Sequence, residues 1–80
     1  MSQQAQLVDT LLSLAAERFQ RDRSKLRPED DFFDALEIDS VDAMTLLTAV
    51  EERFGVEIPD YEVQDVRTFA ALAVVVGRRL

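Results

Sequence analysis

The segment from Asp39 to Gly55 constrains the fold more than any other part of the sequence. Apolar residues recur in it at intervals of three and four, the spacing of an amphipathic α-helix. These residues are Val41, Met44, Leu47, Val50 and Phe54, with Leu46 and Ala49 widening the apolar face. Gly55 follows, where a glycine can adopt the positive φ that commonly ends a helix. The pattern predicts a helix that begins at Asp39 or Ser40 and ends at Phe54.

Two further segments have helical periodicity. The first covers residues 3–21 without a glycine or proline, and Ser2 is a candidate N-cap. The last begins after Thr68, a second candidate cap, and ends near Gly77. Between the central and last helices, residues 61–65 are expected to form one short helical turn.

Residues 22–39 form a long connection, in which Pro28 disfavours helix at the residue before it. Connections of this length in a small protein are usually functional or pinned by their own side chains. A short helical turn over residues 32–35 fits the segment. The expected pins are Leu26, Phe32, Phe33 and Leu36. We therefore predict an all-α fold: a small antiparallel four-helix bundle of three main helices and one short helix, with a long first loop, in a single domain over residues 1–80.

Charge is segregated along the chain. Residues 29–65 contain thirteen acidic residues and one basic residue, for a charge of −12, whereas the whole chain carries −7. Nucleic acid and anionic lipid are poor partners for such a surface, because both are bound by Lys and Arg. The acids either keep a small protein in solution or face a basic protein surface, and their segregation favours the second interpretation.

Location and assembly follow from composition. The longest apolar run, residues 69–76, is too short to span a membrane, and the N-terminal residues lack the cationic start of a signal peptide. We expect a cytoplasmic monomer. No metal site is expected, because Phe32 and Phe33 lie where a calcium-binding loop would need oxygen ligands.

Ser40 lies where a polar loop becomes a helix. The chain has no histidine and no cysteine, so neither a Ser–His pair nor a thiolate is available for catalysis. The serine is then either an N-cap, the commonest role of Asp-Ser before a helix, or an attachment point for a group supplied by another protein. Met44 and Leu47 have helical spacing and are interpreted first as core residues.

Over about residues 3–77 the chain resembles the acyl carrier proteins of the phosphopantetheine-binding family. Asp-Ser-Val-Asp at residues 39–42 carries the resemblance, with Phe-Gly-Val-Glu-Ile-Pro-Asp at 54–60 and Thr-Phe at 68–69. The chain departs from the family at three positions: Glu37 replaces the usual glycine, Val41 a common leucine, and Thr45 a residue that is often acidic.

The resemblance implies a carrier that is not an enzyme. Ser40 would bear 4′-phosphopantetheine, attached from coenzyme A by a phosphopantetheinyl transferase, and the arm would hold acyl groups as thioesters. Met44 and Leu47 would line an acyl groove. Acyl-loading and acyl-processing enzymes of fatty-acid, polyketide or related biosynthesis would dock through basic surfaces. The docking residues implied are Asp39, Asp42, Glu51, Glu52, Asp60 and Glu62. Two alternatives stay open, an unmodified acidic adaptor or inhibitor of a basic protein, and a carrier of aminoacyl cargo.

Overall fold

The computed structural model describes residues 3–80, which form five α-helices and one 3₁₀ turn. The elements are α1 (Gln3–Phe19), the 3₁₀ turn (Arg23–Lys25), α2 (Phe32–Leu36), α3 (Ser40–Phe54), α4 (Asp60–Val63) and α5 (Phe69–Arg79). Within residues 3–80 the only β-type pairing is an isolated bridge between Asp31 and Thr68. The predicted all-α fold is confirmed, with α2 and α4 as short helices between three long ones. Ser2, the predicted cap of α1, lies outside the described residues.

The core is apolar and forms where α1 packs against α3 and α5. No polar or charged residue within residues 3–80 is buried. The largest fully buried side chains are Phe69, Leu11, Leu12, Leu36, Val50 and Val76. The ring of Phe32 meets that of Phe69 edge to face at a centroid distance of 5.9 Å. This ring contact joins α2 to the core, so the short helix before Ser40 is held by the same packing as the long ones.

The central helix begins and ends as the sequence predicts. Asp39 is the N-cap, and its Oδ1 accepts a hydrogen bond from the backbone N–H of Asp42 at 2.9 Å. Ser40 is therefore the first helical residue, and its interpretation as the N-cap is wrong. Gly55 has a φ of 66° and its N–H donates to the carbonyl of Glu51, which closes the last turn.

Two other helix ends differ from the sequence prediction. α1 ends at Phe19 rather than at residue 21, because Gln20 adopts a φ of 55° and the N–H of Arg21 turns back to the carbonyl of Ala16 at 2.8 Å. α5 continues through Gly77 to Arg79. A Cβ at Gly77 would lie 3.5 Å from Leu7 Cδ1, an ordinary van der Waals distance, so the packing of α5 on α1 leaves room for a side-chain carbon at this position. The Thr68 cap is confirmed, since its side chain accepts from the N–H of Ala71.

The long connection is pinned both by side chains and by its backbone. Leu26, Phe32 and Leu36 are buried as predicted, and Phe33 is half-buried. Hydrogen bonds of 2.8 Å from Phe32 N to Arg67 O and from Ala70 N to Pro28 O join it to the start of α5. The Arg21 guanidinium donates to the carbonyl of Leu36 from Nη2 at 2.8 Å and from Nε at 3.2 Å. The segment before Ser40 is thus fastened at several points.

Glu37 ends α2 in a conformation that suits glycine. Its φ and ψ are 56° and 49°, in the left-handed region, and its N–H donates to the carbonyl of Phe33. Left-handed geometry costs a residue with a Cβ roughly 1–2 kcal/mol, whereas glycine adopts it without that steric cost. A glycine at this position, as is usual in the family that the sequence resembles, would therefore remove backbone strain.

We expect Glu37→Gly to raise the free energy of unfolding by about 0.5–1 kcal/mol, because the relief of strain exceeds the larger backbone entropy that glycine loses on folding. Urea denaturation measures the change. Glu37→Ala removes the same charge but keeps the strain, so it should give no comparable gain. Equal stabilisation by both variants would assign the effect to charge instead of backbone geometry.

Asp31 joins α2 to the segment before α5. Its carboxylate accepts hydrogen bonds from the N–H groups of Phe33 at 2.8 Å and Asp34 at 3.3 Å, and from Arg67 Nε at 2.7 Å. Partial burial of the Asp31 carboxyl works to raise its pKa. The hydrogen bond from Arg67 and those from the two N–H groups outweigh this and hold the pKa below its ordinary value.

A lowered pKa in the folded state means that Asp31 stabilises the fold above its unfolded pKa of about 3.9, and that this contribution is lost as the pH falls through the folded pKa. We expect Asp31→Asn to be less stable than the wild type at neutral pH and to lose less stability on acidification below about pH 4. Thermal unfolding midpoints of both proteins, measured from neutral pH to below about pH 4, give the stability at neutral pH and its loss on acidification. Asp34→Asn is the control: the Asp34 carboxylate accepts no hydrogen bond within residues 3–80, so this variant should leave the contribution of Asp31 in place. An unchanged slope in Asp31→Asn would contradict the assignment.

Candidate functional site

Ser40 is exposed at the first turn of α3, and its hydroxyl has no hydrogen-bond partner within residues 3–80. The cap interaction that would otherwise occupy a serine at a helix start is made by Asp39. The hydroxyl is therefore free to react with an incoming group. The N-terminal end of a helix favours negative charge, through its free N–H groups and the positive end of the helix dipole.

An apolar cavity of about 270 Å³ opens beside Ser40. Residues from α2, α3, α4 and α5 form its walls. They are Phe32, Phe33, Ser40, Ala43, Met44, Leu46, Leu47, Asp60, Val63, Gln64, Val66 and Leu72. The three polar members, Ser40, Asp60 and Gln64, are all exposed, so they mark the opening of the cavity. The structure thus brings together Ser40 and the two residues expected to line a groove, Met44 and Leu47.

The six acids expected to dock partners fall into two groups of three. Asp39 caps α3, Glu51 Oε2 accepts from the N–H of Ile58 at 2.8 Å, and Glu62 forms an ion pair with Arg79. These three carboxylates stabilise the fold itself. The side chains of the other three have no hydrogen-bond or ion-pair partner in the described part of the chain, and they are Asp42, Glu52 and Asp60.

Apolar side chains are exposed near Ser40. Val41 is 73% exposed and Tyr61 is 71% exposed, while Met44 is 48% exposed and lines the cavity. The assignment of Val41 to the apolar face of the central helix is wrong, because its side chain is exposed while Ala43, in the same turn of α3, packs against the core. Tyr61 was missed as a surface residue, and its place in a four-residue helix beside the acids gave no periodic signal.

Glu62 and Arg79 form the ion pair that links α4 to α5. Arg79 Nη2 lies 2.6 Å from Glu62 Oε2, and Arg79 Nε donates to the same oxygen at 2.8 Å. The hydrogen bond to Glu62 raises the pKa of Arg79 above its ordinary value. Arg79 therefore stays charged across the ordinary pH range.

Residues 3–80 contain neither a metal-binding cluster nor a membrane-spanning helix. The Asp and Glu side chains there form no group of three or more placed to hold a metal ion. Among these same residues, no helix has the length and apolarity to cross a membrane.

Fold and site together define a small helical bundle with an exposed serine at a helix start beside an apolar cavity. The family described as the phosphopantetheine attachment site matches residues 9–75. The chain is 37% identical over 65 residues to the acyl carrier protein of Thermosynechococcus vestitus, covering 81% of this chain and 80% of that protein. It is 35% identical over 68 residues to the acyl carrier protein of Myxococcus xanthus, covering 85% of this chain and 86% of that protein.

A solved structure shares the fold. The acyl carrier protein from Enterococcus faecalis superposes with a TM-score of 0.76 at 18% identity, covering 99% of this chain and 100% of that one. The chain belongs to the acyl carrier protein family, whose cofactor is covalently attached 4′-phosphopantetheine. The free Ser40 hydroxyl at a helix start, open to the cavity, fits such a group.

Proposed function

We propose that this protein carries acyl intermediates as thioesters on a 4′-phosphopantetheine arm joined to Ser40, and presents them to enzymes of fatty-acid, polyketide or related biosynthesis. The observation that carries the proposal is the unpartnered Ser40 hydroxyl, exposed at the start of α3 and bordering an apolar cavity. The cofactor supplies a thiol, which the chain lacks because it has no cysteine.

The residues around Ser40 support the two ends of such an arm. At the protein end, the first turn of α3 favours the negative charge of the phosphodiester. At the cargo end, Met44 and Leu47 offer apolar contact for a chain that enters the cavity. The volume of about 270 Å³ lies just below the range of roughly 300–1,000 Å³ typical of ligand pockets, so the cavity suits a short acyl segment.

The apolar lining favours acyl over aminoacyl cargo. A charged amino group inside such a cavity would lose its hydration with few polar groups to replace it, which is costly. Among the residues that line the cavity, Asp60 carries the only charge and lies at the opening. An aminoacyl group would therefore be held outside the cavity.

The test is the intact mass of the wild-type protein after incubation with coenzyme A, magnesium and a phosphopantetheinyl transferase. We expect one added phosphopantetheinyl group, located by peptide mapping on the peptide that contains Ser40. A protein that remains unmodified under conditions in which another acyl carrier protein is fully converted would support the alternative, an acidic adaptor that binds a basic protein without an arm.

Docking to partner enzymes should depend on the free acids. Asp42→Lys with Glu52→Lys reverses two carboxylates that have no hydrogen-bond or ion-pair partner in the described chain, so the fold should persist while attraction to a basic surface is lost. We expect the apparent KM of the transferase for the carrier to rise about tenfold or more at low salt, with a smaller rise at high salt because ions screen the attraction.

Glu17→Lys is the control for the single variant Glu52→Lys, since it makes the same charge change on α1, outside the acidic segment, at a carboxylate that has no hydrogen-bond or ion-pair partner within residues 3–80. It should alter the KM much less than Glu52→Lys. If both single variants shift the KM equally, net charge rather than a docking surface controls association.

A further inference from the structure

α4 forms part of the cavity wall beside Ser40 and is held by partly buried contacts, since Val63 and the following Val66 pack against the core without being fully buried. It has four residues, none of them buried, and Pro59 at its N-cap provides no side-chain hydrogen bond. Asp60 and Val63 from α4 line the cavity, as do Gln64 and Val66 directly after it. Elements with few buried contacts belong to the least stable parts of a fold and open first.

Besides the packing of Val63 and Val66 on the core, one ion pair within residues 3–80 fastens this wall to the rest of the molecule. Glu62, in the middle of α4, accepts two N–H groups of Arg79, the last residue of α5. The side chains are 24% and 34% exposed, so solvent screens the pair less than a fully exposed one. The neighbouring Arg78 is exposed and forms no ion pair within residues 3–80.

We propose that the Glu62–Arg79 pair is a latch that holds α4 over the cavity and limits how far the cavity opens beside Ser40. Glu62 was expected to contact partner enzymes, whereas its carboxylate is already engaged by Arg79. Glu62 and Arg79 would affect the cavity only by fixing the position of α4, and so they are positioning residues for the cavity wall. The part of the proposal that concerns cargo rests on the proposed function. The latch itself does not.

Amide hydrogen exchange of the unmodified protein tests the latch. The reporter is the N–H of Val66, which bonds to the carbonyl of Val63 at 3.1 Å and lies at the cavity wall. In Arg79→Gln we expect its exchange to accelerate roughly two- to fivefold, the change expected for one partly exposed ion pair. In Arg78→Gln, which removes the same charge from the same helix end, exchange should stay near the wild-type rate.

Two comparisons separate the latch from a general loss of stability. The amide of Val50, in the buried part of α3, should exchange at the same rate in all three proteins. The double variant Glu62→Arg with Arg79→Glu restores an ion pair with reversed charges and should return Val66 exchange toward the wild-type rate. Equal acceleration in the Arg78 and Arg79 variants, or no recovery on charge exchange, would overturn the latch.

Cargo protection is measured on the protein loaded with an octanoyl thioester. Hydrolysis at mildly alkaline pH should be faster in Arg79→Gln than in Arg78→Gln by a factor similar to that of the exchange rates. If exchange accelerates and hydrolysis does not, the latch does not control the cavity. If Ser40 accepts no arm at all, the proposed function fails, while exchange in the unmodified protein still decides whether the latch exists.

Discussion

Substitution of Ser40 by alanine is expected to abolish attachment of the arm completely and to leave the fold intact. The hydroxyl oxygen is the atom that would bond to phosphorus, and alanine has no replacement for it. The fold should persist because the hydroxyl has no partner within residues 3–80 and because Asp39 is the cap of α3. The free energy of unfolding should change by no more than about 0.5 kcal/mol, as for ordinary surface substitutions.

Intact mass after incubation with coenzyme A and a transferase shows whether the arm is attached, and urea denaturation gives the change in the free energy of unfolding. Ser13→Ala is the matched control, since Ser13 is also exposed on a helix but lies on α1, outside the Asp-Ser-Val-Asp motif. It should be modified like the wild type. A phosphopantetheinyl mass on Ser40→Ala would place the attachment elsewhere.

The largest loss of stability is expected from Phe69→Ala. Phe69 is fully buried and packs edge to face on Phe32, so alanine leaves a cavity where α2 meets α5. Such substitutions cost about 3–5 kcal/mol. An 80-residue protein has a total stability of about 4–12 kcal/mol, at 0.05–0.15 kcal/mol per residue, so much of the total would be lost.

Urea denaturation followed by circular dichroism measures the effect of Phe69→Ala. Val74→Ala is the control in the same helix, because Val74 is 44% exposed and its truncation should cost well under 1.5 kcal/mol. Similar midpoints for the two variants would show that the packing of Phe69 on Phe32 contributes little to the core.

The sequence predicted those elements whose signals are local. The Asp39 to Gly55 segment carries its own periodicity and end signals, and Thr68 caps α5 as expected. Gln20 and Glu37 were not recognised as turn residues, because neither is glycine and both adopt a positive φ only in the folded chain. The exposure of Val41 was also missed, since periodicity shows which residues share a face but not how far the core extends along it.

The same distinction between local signals and contacts made by folding applies to the candidate site. Ser40 and its two cavity neighbours, Met44 and Leu47, could be selected from spacing and motif, and the structure brings them together. The roles of the acids could not, because each depends on contacts made by folding. The Glu51 carboxylate accepts a hydrogen bond from the N–H of Ile58, and the Glu62 carboxylate accepts one from Arg79 on α5, 17 residues away in sequence. Charge pattern alone does not separate carboxylates that hold the fold from those left free.

The hydrogen bonds between the long connection and the start of α5 have a consequence for the order of events during synthesis. Asp31 and its partner Arg67 are 36 residues apart in sequence, and the Pro28 carbonyl accepts its hydrogen bond from the N–H of Ala70. A chain that has left the ribosome only through α4 holds Ser40 but lacks the partners that fasten the segment before it. We expect a fragment ending at residue 66 to be a much poorer transferase substrate than the full chain, and an equal rate would show that recognition needs only the local motif. A slower rate for the fragment would mean that the arm is attached only after the fold is complete. A nascent chain would then leave the ribosome without cargo.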